Sequence, residues 1–220
     1  MNPREAMVAL NLLPDIGPVR VRLLLDKFGS ATEILEAPIA ALKTVDKIGP
    51  KAATTIANWN KAIDLEAELK RIEKFGCTII TQDDEMYPEL LREIYDPPIV
   101  LYVKGELKTA DHHAIAMVGT RQSTLYGRQS AERLSRQLAA SGITVVSGGA
   151  RGIDSISHEG AMKGGGRTIA VLGTGLDIVY PAENFELFQQ GSLHPPYPKF
   201  WMLDDQDEMV QGIPSAHQHP

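Results

Sequence analysis

Three short apolar runs between Met117 and Asn184 each end in a glycine-bearing turn. Residues 114–118 run into Gly119, residues 143–147 into Gly148-Gly149, and residues 168–172 into Gly173-Thr174-Gly175. Helical patterns separate them. The first covers 125–141, with Ala131, Leu134 and Leu138 on one face; the second covers 154–163, with Ile156, His158 and Ala161. Strand and helix in regular alternation predict a parallel sheet with right-handed crossovers. The fold class is therefore α/β, with a Rossmann-like sheet. A strand that stops at a glycine turn before a helix offers backbone N–H groups to an anion. Three such turns within about 70 residues predict a phosphate-binding crevice at the carboxyl ends of the strands.

The chain before this region reads differently. Met7, Leu10 and Leu13, then Val21, Leu24, Leu25 and Phe28, recur at helical spacing. Ser30 is placed to cap a helix through Ile34 and Leu35, with Glu33 as its capping-box partner. Asp15-Ile-Gly-Pro and Lys47-Ile-Gly-Pro form a short internal repeat. A helix, an I-G-P turn and a second helix look like helix-hairpin-helix elements, whose turn can offer N–H groups to a DNA phosphate. The same turns also suit a small bundle that simply needs glycine there, so both readings stand. A polar helix over 61–75 ends at Gly76. The predicted organisation is a helical helix-hairpin-helix/SAM-like domain over 1–75 and a Rossmann-like domain over 76–189. The first two strand candidates of the latter are 77–81 and 99–103. Residues 190–220 read as an irregular acidic, proline-rich tail.

Bulk properties narrow the function. The 220 residues carry a formal net charge of −6 and one cysteine, Cys77. A single cysteine excludes an internal disulfide framework and every multi-cysteine zinc site. The segment 119–170 holds seven Arg or Lys against three Asp or Glu, a basic island in an acidic chain. Such a local field governs a ligand more than the total charge does. No secretory signal and no apolar run of bilayer length is visible, so a soluble cytoplasmic protein with no membrane contact is expected. The G-x-x-x-x-G-K-[ST] loop is absent, and Gly173-x-Gly175-x-x-Ile178 lacks the third glycine of a dinucleotide site. No cofactor is implied.

The candidate ligand contacts are Gly119, Thr120 and Arg121 in the first turn, Ser147, Gly148, Gly149 and Arg151 in the second, and Gly173, Thr174 and Gly175 in the third. Glycines admit the ligand to the backbone, hydroxyls donate to phosphate, and guanidinium grips it bidentately. Asp154 is placed to cap the helix after the second turn. His158 is either a general base or a histidine satisfied within its helix; no nucleophile is paired with it. Asp177 is placed to bind a ribose or order its loop. Tyr126, Tyr180 and Phe185 are each either core residues or platforms for stacked bases.

Met117-Val-Gly-Thr-Arg121, Tyr126-Gly127, Val146-Ser-Gly-Gly-Ala-Arg-Gly-Ile-Asp154, His158, Thr168 through Asp177 and Tyr180-Pro-x-x-Asn184 together resemble the DNA-processing protein A family, also called Smf. The resemblance covers about residues 5–188. It implies a helical domain followed by an extended Rossmann-like domain. It implies a single-stranded DNA binder, not an enzyme, that protects incoming strands in natural transformation, loads the RecA recombinase and forms a homodimer. Gly119-Thr120-Arg121 match the family's G-S-R turn; the other two turns match its second and third. Gly149 stands where the family usually has leucine. After about Gln189 the likeness stops: the family's Ser-Glu-x-Pro strand and Phe-Pro-x-Arg-Asn-Arg segment are missing. The resemblance therefore implies an incomplete C-terminal end of the sheet, from truncation or a diverged reading frame. Two other functions remain in view: a nucleotide phosphoribohydrolase-like enzyme, whose P-G-G-x-G-T-x-x-E motif is absent, and a truncated non-functional remnant.

Overall fold

The computed structural model describes residues 1–176 and 179–188 and the backbone of 200–204. The chain divides into two compact units, Met1–Leu101 and Tyr102–Pro220.

The first unit is mainly helical: α1 (Pro3–Leu12), α2 (Pro18–Phe28), α3 (Ala31–Glu36), α4 (Ile39–Leu42), α5 (Pro50–Ala57), α6 (Trp59–Ala62) and α7 (Leu65–Phe75). Strand β1 (Thr78–Thr81) and the short helix α8 (Glu89–Arg92) follow. Leu10, Leu24, Ile34, Leu42 and Ile56, each fully buried, form its core. Burial of that kind is worth roughly 1.5–3 kcal/mol per side chain. The helix ends follow local chemistry. Asn2 and Glu5 make a reciprocal capping box at α1. Ser30 caps α3 by accepting from the Glu33 N–H at 3.2 Å. Asp64 accepts from the Ala67 N–H at 3.0 Å, so α7 starts at Leu65, four residues later than the periodicity predicts.

The repeated I-G-P turns are built alike. Asp15 and Lys47 both have positive φ, 64° and 61°. Gly17 and Gly49 then precede helices that begin with Pro18 and Pro50. Arg20 ties the two turns together by donating to the carbonyls of Asp15 and Lys47, and Lys51 pairs with the Asp15 carboxylate at 2.6 Å.

Strand β2 (Val100–Lys104) straddles the division. The second unit then alternates β3 (Ala114–Ala116), α9 (Leu125–Ala140), β4 (Thr144–Ser147), α10 (Ile153–Lys163) and β5 (Thr168–Leu172), with β6 at Phe200–Asp204. Its strand order is β2-β6-β5-β4-β3. β3 to β6 are parallel and β2 runs antiparallel to β6, with Tyr102 opposite Asp204. α9 and α10 pack on each other and on β4. Ala139, Val145 and Ala161 meet there, flanked by Met117 and Leu138.

β6 corrects the reading of 190–220 as wholly irregular. Thr168 to Leu172 pair with Phe200 to Asp204 in parallel register. The four apolar residues from Phe200 to Leu203 lack alternation, the sequence pattern of a strand in a parallel sheet covered on both faces. A tail searched for alternation therefore hides it. At the opposite end, β3 is the edge strand among the described residues.

Candidate nucleic-acid interface

The three glycine turns all leave the carboxyl ends of neighbouring parallel strands, β3, β4 and β5. The first two are interlocked. Ile153, the first residue of α10, donates its N–H to the Thr120 carbonyl at 3.3 Å. A Cβ on Gly119 would lie 2.7 Å from Cγ1 of Ile153, and one on Gly152 would strike the carbonyl of Thr120. Gly152 also has φ 81°, open to glycine at little cost. Ser147 donates to the Met117 carbonyl at 2.6 Å and closes the seam. The second turn abuts the β5 end: a Cβ on Gly149 would lie 3.1 Å from Cδ2 of Leu172 and 3.0 Å from the Phe188 ring.

This packing leaves main-chain donors over. Among the described residues, the N–H groups of Gly119, Thr120, Arg121, Gly148 and Arg151 have no backbone acceptor. Arg121 is exposed, and its guanidinium makes no ion pair among the described residues. Thr120 Oγ1 accepts from the Gln122 N–H at 3.1 Å and fixes the turn from within. Gly173 has open space where a Cβ would sit. Thr174 and Gly175 are half-buried beside it. Asp177 lies outside the described residues.

Several side chains do something other than the sequence suggests. The hydroxyl of buried Ser147 is committed to Met117. Arg151 forms a bidentate pair with Glu183, at 2.5 and 2.9 Å. The hydrogen bond and charge of Arg151 hold the Glu183 carboxyl below its ordinary range. Asp154 does not cap its own helix. Gly152 is the N-cap residue, and the Asp154 carboxylate instead reaches back to the Ala150 N–H at 3.4 Å. The reason is positional: Asp154 is the second helical residue, and its side chain folds over the turn N-terminal to it.

His158 is fully buried, and burial pushes its imidazole down to about 3. Thr168 Oγ1 donates to the Val145 carbonyl at 2.8 Å, so it accepts from His158 Nδ1 at 2.6 Å. His158 is thus a neutral Nδ1–H tautomer that ties α10 to β5. Of the aromatic candidates, Tyr126, Tyr180 and Phe185 are all exposed.

Asn184 is a positioning residue absent from the sequence-derived contacts. Its Nδ2 donates to the Gly149 carbonyl at 2.7 Å and to Ser155 Oγ at 2.8 Å. Ser155 Oγ in turn donates to the Ala150 carbonyl at 2.6 Å. The 3-10 turn Ala182–Asn184 therefore clamps the second glycine turn through Asn184 and Glu183. The spaced motif Tyr180-Pro-x-x-Asn184 was the signal that marked it.

The chain matches known proteins. The family DNA recombination-mediator protein A matches residues 78–193. This chain belongs to that family. A relative named Protein Smf from Synechocystis sp. is 36% identical over 187 residues, covering 83% of this chain and 47% of its own length. The chain thus spans about half the length of that relative. The X-ray structure of DNA processing protein A from Streptococcus pneumoniae superposes with a TM-score of 0.74 at 26% identity, over 93% of this chain and 68% of that one. DNA processing protein A from Helicobacter pylori, whose structure concerns its single-stranded DNA binding mode, has a TM-score of 0.50 at 31% identity, over 60% and 57%. The chain is therefore a recombination-mediator family member with a Rossmann-like α/β unit. Among the described residues no helix is long and apolar enough to cross a membrane.

Proposed function

We propose that the chain binds single-stranded DNA through the three-turn crevice, as part of DNA processing in natural transformation. The observation that carries this is the cluster of main-chain N–H groups at two interlocked turns that lack a backbone acceptor among the described residues, with the exposed Arg121 guanidinium in the same turn. Unpaired donors at the ends of parallel strands suit a sugar–phosphate backbone, which is a chain of anions without sequence information. The family supports the reading, as does the Helicobacter relative described for its single-stranded DNA binding mode. The contacts assigned are Gly119, Thr120, Arg121, Gly148, Gly149, Gly173, Thr174 and Gly175. Ser147 acts by holding the seam closed. Arg151 reaches DNA only by exchanging Glu183 for phosphate. Delivery of the strand to the RecA recombinase, a homodimer and a cytoplasmic location are proposed with it, from family resemblance.

An enzymatic role has less to stand on. His158, the histidine a base would require, is enclosed and already hydrogen-bonded to Thr168. The test is Arg121→Ala, assayed for oligonucleotide affinity across a salt series. Phosphate neutralisation releases counterions, so the variant is expected to weaken binding about tenfold and flatten the log–log salt slope by about one unit. An unchanged slope contradicts the role given to Arg121.

A further inference from the structure

Three of the four most exposed large apolar side chains among the described residues are Val118, Leu125 and Tyr126, at 74%, 72% and 79%. One exposed apolar residue needs no explanation, but clustering does. These three bracket the first glycine turn: Val118 precedes Gly119, and Leu125 and Tyr126 open α9 immediately after it. The helix start is held firmly. Thr124 Oγ1 accepts from the Gly127 N–H at 3.1 Å, and a Cβ on Gly127 would lie 3.7 Å from Cδ1 of Ile153. Ile153 is the side chain that also packs against Gly119. The first turn of α9 and the phosphate-facing turn thus rest on one residue, and Tyr126 follows Arg121 by five residues, both exposed.

On the reading that this crevice holds unpaired DNA, we infer that Tyr126 is a base-stacking platform, with Leu125 and Val118 as its apolar shoulder. A phosphate held at Gly119–Arg121 leaves its attached base exposed to water, and an aromatic ring within reach gains by covering it. Every base has a π-face, so this contact adds affinity without sequence preference. A protein partner is the other occupant such a patch could take. Bases are favoured because the patch adjoins N–H donors with no backbone acceptor among the described residues and an exposed guanidinium, which call for a polyanion.

Two fluorescent probes of equal length, roughly 20 units, separate the possibilities: an oligothymidylate and an abasic phosphodiester. Tyr126→Ala is expected to weaken the oligothymidylate roughly 5- to 100-fold and to leave the abasic strand unchanged. Tyr126→Phe is expected to bind as the parent does, which also controls for folding. If Tyr126→Ala leaves thymidylate affinity intact while Arg121→Ala weakens both probes, the stacking inference falls and the DNA reading stands. If the parent protein binds neither probe in dilute salt, both fall. If sedimentation instead shows a dimer that Tyr126→Ala dissociates with affinity unchanged, the patch is a protein contact and the inference is overturned.

Discussion

At Gly152 a single methyl group has nowhere to go. The residue sits at φ 81°, and an added Cβ would press on the carbonyls of both Thr120 and Arg121. Gly152→Ala is therefore expected to cost about 2–4 kcal/mol, left-handed strain plus overpacking, read from urea unfolding. Gly173 makes the opposite case. It has open space around it and ordinary φ, so Gly173→Ala is expected to leave stability within about 0.5 kcal/mol. Its effect belongs on DNA affinity, because the methyl would occupy the path of a ligand. In the sequence these two glycines look alike. The turns were legible because glycine after an apolar run has few other uses. Which glycine accommodates Ile153 and which faces solvent was not legible, because the neighbour that fills the space lies across the sheet.

At the scale of elements, His158 joins α10 to β5 and, through Thr168, to the Val145 carbonyl of β4. Burial depresses its imidazole from 6.5 to about 3. The unfolded chain therefore binds a proton that the folded chain refuses. Stability is full above pH 6.5 and is lost as pH falls from 6.5 toward 3. Between pH 7.5 and pH 5 a loss of about 2 kcal/mol is expected from this group, measured by urea unfolding at the two values. His158→Leu should flatten that step even though it sacrifices the Thr168 contact; an unaltered step would assign the loss to other groups. The elements themselves were largely legible. β5 spans 168–172 as the apolar run indicates, and α9 stops within one residue of its expected end. Misses arise where side chains decide the boundary. Asp64 delays α7, and the ladder of β3 ends at Ala116, with Met117 still paired to Val146. The clamp from Asn184 onto Gly149 spans 35 residues; the motif Tyr180-Pro-x-x-Asn184 marks the residue but not the partner it reaches.

At the scale of the whole molecule, charge and topology point the same way. Arg121, Arg128, Arg133 and Arg136 are all exposed on the segment that carries the first turn and α9, within a chain of net charge −6. Alternation of strands and helices made the parallel sheet legible, because local apolar runs and connection lengths define it. β6 was not legible. It pairs with β5 and β2, and five residues flanked by prolines and acids carry no periodicity of their own. The central claim is that main-chain amides grip the sugar–phosphate chain. Its most direct test follows backbone amide resonances of the 15N-labelled protein during titration with a short oligothymidylate in dilute salt. Saturable downfield shifts concentrated at Gly119, Thr120, Arg121, Gly148, Gly149 and Gly173–Gly175 are expected. Shifts confined to other surfaces, or none at those turns while DNA is bound, would contradict the account.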